Sequence, residues 1–177
     1  MGTTMSGRYL NTRGSGRRAS DFALVHSNEG DFKFPEGREK KRRQKAGEKL
    51  IRLGGGGHGQ KGLDLLKKYG IAVEITKTYS NGVRIGNVPD HKDKKKRKNS
   101  QQSWFPEKWS EKDIQHAGQH VSGLKGNRRV PSGETVFGVY KGVRVGVKRT
   151  NGKIATVFPD VDQSKVINRR KKTRRKK

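Results

Sequence analysis

Between Gly133 and Asp160 the chain carries three short apolar runs separated by two turn pairs, and this stretch constrains the fold more than any other. Val136, Val139 and Tyr140, then Val143, Val145 and Val147, then Ile154, Val157 and Phe158 recur with the short spacing of half-buried strands. Lys141-Gly142 and Asn151-Gly152 stand between them, and such pairs supply the positive φ that a two-residue hairpin needs. The stretch predicts an antiparallel three-stranded meander. With a two-residue second turn, Thr156 lies opposite Val147, on the face of Val143, Val145 and Phe158, and Arg144 and Lys148 point the other way. A one-residue slip exchanges the faces. Gly138 and Gly146, inside strands, predict a bulge or the close approach of a ligand.

A sheet of this kind needs a helix on its apolar face, and one is legible just upstream. Ser110 followed by Asp113 is a capping-box signature, and Ile114, Ala117 and Val121 form an apolar stripe behind it. Trp104, Phe105 and Trp109 read as core residues that cover the start of this helix more than as base-stacking platforms. His116 and His120 are four apart, so they share a face beside the stripe. A metal site there would need a third ligand from elsewhere, and the glutamate of HExxH zinc enzymes is absent. The pair reads as solvated surface or as acid–base groups; no metal and no cofactor is expected.

The first half is less regular. Residues 1–20 are rich in Gly, Ser, Thr and Arg and read as a flexible linker. Asp21 to Pro35 suggests a short irregular segment docked through scattered apolar residues. Arg38 to Leu53 reads as a basic helix whose run Lys40, Lys41, Arg42, Arg43 is either solvated or phosphate-binding. Gly54 to Gly57 before His58 lacks the hydroxyl residue of a phosphate loop and predicts a flexible hinge, with His58 able to reach a substrate. Leu63, Leu66 and Tyr69 mark the next helix, which Gly70 stops. Ile71 to Tyr79 and Val83 to Val88 predict a hairpin turning at Asn81-Gly82. From Pro89 to Ser103 the chain has no period and much positive charge, which predicts a loop that orders on a nucleic acid. Lys94, Lys95, Lys96 and Arg97 in it, with Arg144 and Lys148 on the meander, are the candidate RNA-binding cations.

Charge narrows the partner class. Lysine and arginine total 43 against 16 acidic residues, a formal net charge of +27. Such a chain repels itself unless a polyanion or an acidic protein is close, and nucleic acid is the expected partner. The absence of cysteine excludes disulfides and thiolate metal sites. No apolar run approaches the roughly 20 residues of a membrane span, and the N-terminus lacks a signal-peptide core. The chain is expected to be soluble and monomeric, with no membrane contact.

Six blocks taken together carry a family likeness: Gly56-Gly57-His58-Gly59-Gln60, NGVRIGNVPDHKDKKKR from Asn81, SWFPEKW from Ser103, DIQHAGQHV from Asp113, YKGVRVGV from Tyr140 and IATVFPD from Ile154. The chain resembles the EndoU-like ribonuclease toxin domains at the C-termini of bacterial polymorphic toxins, particularly the LXG type. The resemblance implies an α+β fold: a small single domain of antiparallel sheet with packed helices and basic, partly disordered termini. Composition and pattern set the domain at residues 21–164, its catalytic half at 100–160, between the linker at 1–20 and a basic tail at 165–177, and the likeness covers most of Gly56 to Asp160. The resemblance implies a metal-independent endoribonuclease that attacks through the 2′-OH and leaves a 2′,3′-cyclic phosphate. It further implies an rRNA or tRNA substrate, an acidic cognate immunity protein, and secretion within a longer toxin that acts in the target-cell cytoplasm. Carried onto this sequence, it makes His120 a catalytic histidine, Thr156 the residue that positions base or phosphate, and Lys141 the cation at the phosphorane, with Lys148 as its competitor. The family uses two histidines, the second after the first, and none follows His120, so His116 or His58 takes the second role. Two other classes compete: a ribosome-associated RNA-binding protein, and a metal-dependent DNase toxin, for which no carboxylate cluster suited to Mg²⁺ is evident.

Overall fold

The computed structural model describes residues 18–168. Helix α1 (Asp21–Asn28) starts at Ser20, whose hydroxyl accepts a hydrogen bond from the Ala23 amide, and it buries Ala23, Leu24, Ser27 and Asn28. Two of those four are polar. That mixed stripe has no hydrophobic period, which is why the expected irregular segment is in fact a helix. Ala19, 1% exposed, already belongs to the core, so the packed domain takes in the last residues of the expected linker. The rest of that linker, and the tail beyond residue 168, lie outside the described residues.

Strand β1 (Asp31–Lys33) pairs antiparallel with β2 (Arg52–Gly55), and helix α2 (Gly37–Ala46) stands between them in sequence. The basic helix expected to reach Leu53 stops at Ala46. Gly47 takes φ 67° and donates its amide to the Arg43 and Gln44 carbonyls, closing the helix, and Leu53 is a fully buried strand residue. Helix α3 (Gln60–Lys68) follows, with Gly70 at φ 65° just beyond it.

Strands β3 (Glu74–Thr78), β4 (Arg84–Asn87) and β5 (Gln102–Trp104) form a second antiparallel sheet in that order. All of β3 is exposed, so the alternation beginning at Ile71 defines no buried face. The turn is also wider than two residues. Only Gly82 has a positive φ, while the Asn81 amide donates to the Gly142 carbonyl and to Gln163. Nor does the loop after β4 wait for a ligand. His91, 2% exposed, accepts the Asp93 amide at Nδ1, the Lys92 amide donates to Leu53, and Asp93 caps a 3₁₀ turn at Lys94–Lys96. One buried histidine and the main chain anchor a segment whose composition suggested disorder.

Helix α4 (Glu111–Gly123) has the expected capping box and buries Ile114, Ala117 and Val121 completely. The third sheet is the expected meander of β6 (Thr135–Tyr140), β7 (Val143–Thr150) and β8 (Lys153–Pro159). Both turns have two residues at positive φ: Lys141 at 47° and Gly142 at 76°, Asn151 at 52° and Gly152 at 73°. The predicted pairing of Thr156 with Val147 fails, because the register shifts between Lys148 and Arg149. Val157 lies opposite Val147, and Thr156 opposite Lys148. An extra residue in β8 exchanges the faces beyond it, so Thr156 and Phe158 share a face with Arg144, Gly146 and Lys148.

Two cores result. Val143, Val145, Val147 and Val157 pack with α1, α4 and Phe105, whereas Leu53, Leu66, Ile71, Val88 and Trp104 form a second cluster. Phe105 and Trp104 are adjacent, fully buried and on different sides of this division, so the β5 end ties the cores together. A helical turn at residues 164–168 packs Val166, 7% exposed, where the basic tail was expected to begin. The architecture is α+β, as read from the sequence.

Candidate active site

The end of α1 and the glycine run after β2 lie side by side as a main-chain ladder. The amides of Gly57, His58 and Gly59 donate to the carbonyls of His26, Ser27 and Asn28 at 2.9, 2.6 and 3.1 Å. Gly56 sits at φ 66°, and a Cβ there would overlap the His26 carbonyl oxygen. The glycines are therefore a close-approach device and not the expected flexible hinge. Their consequence is to bring His58 beside His26, from segments far apart in the chain.

Each histidine has one nitrogen fixed. His58 is 4% exposed, with Nδ1 2.7 Å from the Ser103 carbonyl. A carbonyl only accepts, so Nδ1 carries the proton and Nε2 keeps its lone pair. Burial, and after it the charge of Lys96, push the His58 imidazole down to about 3, which keeps it neutral at physiological pH. His26 is held at Nδ1 by the Asp31 carboxylate, 2.8 Å away. Such a carboxylate orients an imidazole.

Strand β8 completes the arrangement. Its Val157 amide donates to the Ser27 hydroxyl at 2.9 Å, and the Ser103 hydroxyl donates to the Pro159 carbonyl at 2.6 Å, which pins the strand to α1 and β5. Phe158 lies with its ring centroid 5.8 Å from that of His58. Gly146 makes room for it, since a Cβ there would stand 2.5 Å from the Phe158 ring. Thr156 is two residues back on the same face, with Lys148 as its cross-strand neighbour. Lys96 is the charge that weighs most on His58; burial lowers its own ammonium, and its Nζ donates to the Gln101 carbonyl at 2.8 Å. Next to it Gln102 donates to the Gly56 carbonyl at 3.2 Å, and its Oε1 is buried without a partner.

A family model for bacterial EndoU nucleases matches residues 28–161. The chain belongs to the bacterial EndoU nuclease family. No curated protein and no solved structure matches the chain. The matched span of this EndoU nuclease contains His58 and Thr156, and His26 falls just before it. Membership makes the protein a nuclease and nucleic acid its substrate.

The structure splits the residues singled out from sequence into two groups. Thr156, Lys148 and Arg144 share the strand face of Phe158, whose ring neighbours His58, and the Arg144 guanidinium there is 4.3 Å from the Phe137 ring and pairs with Asp160 at 3.2 Å. His116, His120 and Lys141 lie across the sheet. The α4 helix covers the opposite face, with Gly118 against Val157; His116 and His120 are exposed, and the His120 ring is 5.5 Å from Tyr140. Lys141 is bound to Asp113 at 2.9 Å, with its side chain 56% exposed. Of the loop cations, Lys94 and Lys95 are exposed, while Arg97 donates to the His91 carbonyl. His26 was missed from sequence. Its only local signal is Asp31 five residues on, in a segment without a period. Among the described residues no group of three or more histidine, aspartate or glutamate side chains is placed to hold a metal ion.

Proposed function

We propose that this EndoU nuclease is an endoribonuclease that cleaves RNA through its own 2′-OH, leaving a 2′,3′-cyclic phosphate and a free 5′-OH. The observation that carries this reading is the pair of unlike histidines: one neutral with its lone pair at Nε2, the other backed by a carboxylate. In this reading His58 Nε2 takes the 2′-OH proton as O2′ attacks phosphorus. His26, held at Nδ1 by Asp31, gives a proton to the departing 5′-oxygen. Each proton transfer is worth about 10²–10⁴-fold in rate.

The phosphorane carries added negative charge on its non-bridging oxygens, and positioned cations and donors stabilise that charge more than the ground state. Lys148 and Lys96 supply the cations and Thr156 a hydroxyl donor. Phe158 offers a flat apolar surface on which a base stacks. His116, His120 and Lys141 take no part in the chemical step. DNA lacks the nucleophile, so it binds without being cut by this route. We read the domain as a toxin delivered within a longer secreted protein and neutralised by an acidic immunity protein; the net charge of +27 and the family likeness support that reading.

The test is cleavage in EDTA of an RNA oligonucleotide and of the same strand with a single 2′-deoxy substitution at the cut site. The expected result is cutting of the first only, with cyclic phosphate ends by mass spectrometry. Cutting of the 2′-deoxy position, or a requirement for added metal, contradicts the reading.

A further inference from the structure

Helix α2 contributes nothing to either core, since none of its ten residues is buried. Yet the strands that carry it frame a catalytic candidate: Asp31 of β1 holds His26 Nδ1, and a Cβ on Gly55 of β2 would lie 3.4 Å from His26 Cε1. The helix has two chemically different sides. Arg43, its side chain 11% exposed, turns inward and donates to the Lys49 carbonyl, and Glu39 and Glu48 hold both Arg42 and Arg43. At about 100° per residue, Arg38, Lys41, Arg42 and Lys45 fall on the side away from Arg43. Among the described residues no carboxylate pairs with Arg38, Lys40, Lys41 or Lys45. The acidic residues thus pair within the helix and its C-terminal flank, and leave Arg38, Lys41 and Lys45 as a row of cations about 10 Å long facing solvent.

We propose that the β1–α2–β2 excursion is a substrate arm that grips the RNA backbone away from the scissile phosphate. It rests on the ribonuclease reading and deepens it: the preferred substrate is an RNA many nucleotides long, bound at two places. A helix kept for packing would bury an apolar stripe, and α2 has none. A row of unpaired cations on an excursion whose strands hold a catalytic candidate is matched instead by the regular negative charge of a nucleic acid strand.

The experiment compares wild type with the triple variant Arg38→Gln, Lys41→Gln, Lys45→Gln. Three readouts are taken: kcat/KM on a dinucleoside monophosphate, kcat/KM on a structured RNA of tRNA size, and Kd for that RNA carrying 2′-deoxy substitutions. The variant is expected to cleave the dinucleotide as wild type does, to lose at least ~10-fold in kcat/KM and in affinity on the long RNA, and to bind with a salt slope shallower by about 2, near 0.7–0.9 for each phosphate that the arm no longer neutralises. Equal loss on both substrates overturns the proposal, because the damage then lies at the reacting site. Unchanged binding and cleavage of the long RNA also overturns it and points to a protein partner for the helix. If wild type cuts neither substrate in EDTA, the ribonuclease reading fails, and the Kd comparison still decides the arm.

Discussion

The two faces of the β6–β7–β8 sheet hold similar groups and differ in how those groups are brought together. On the α4 face, His116 and His120 are neighbours through helical spacing alone, both exposed, and Lys141 is bound to Asp113. On the other face, Thr156 and Lys148 are neighbours of Phe158, whose ring lies beside His58, and main-chain hydrogen bonds between distant segments set His58 against the end of the helix that carries His26. Helical spacing makes two histidines adjacent without fixing either ring in place. Tertiary contacts to the Ser103 carbonyl and the Asp31 carboxylate fix Nδ1 of His58 and of His26.

The harshest way to break this comparison is at the ladder. Gly56→Val adds a side chain where φ is 66° and the His26 carbonyl is in the way, so it should cost about 3 kcal/mol of stability, measured by denaturant titration, and abolish cleavage. A tolerated Gly56→Val would mean that the ladder does not set the site. Next, Thr156→Ala should lower kcat about 10²-fold with little change in melting temperature, since it removes one donor to the phosphorane. Phe158→Ala should act mainly on KM, raising it by the ~1–3 kcal/mol of one base stack. On the α4 face Lys141→Ala should change cleavage less than about twofold and leave the melting temperature nearly unchanged, because its ion pair is solvent-exposed.

The buried histidines also sharpen the comparison through pH. Burial holds His58 at about 3 and His91 at about 4 in the folded state, against 6.5 in an exposed chain. As pH falls below about 6.5 the unfolded chain takes up protons that the folded one refuses, so stability falls across the window from about 6.5 to about 3. Calorimetry between pH 7 and pH 4 should show a falling melting temperature, with a shallower slope in His58→Gln.

The meander, both its turns and the capped helix were legible because strand period, turn pairs and the Ser110–Asp113 box are local signals. The face of Thr156 was not. A single extra residue in β8 reverses it, and nothing local announces a bulge opposite Lys148. His26 was hidden for a related reason. Its helix buries Ser27 and Asn28, whose value lies in hydrogen bonds to β8 and to the glycine run. Polar burial has no signature in hydrophobic periodicity. The tight packing of Gly56 and Gly59 against α1 was equally invisible, since a glycine run reads the same whether it flexes or admits a close neighbour.

The most direct test sets one histidine from each face against the other: cleavage in EDTA of an oligonucleotide containing one ribonucleotide, by His26→Ala and by His120→Ala, with melting temperatures alongside. The account predicts at least a 10²-fold loss for His26→Ala with its fold retained, and a change within about threefold for His120→Ala. Full activity in His26→Ala together with loss in a folded His120→Ala would move the active site to the α4 face and contradict it.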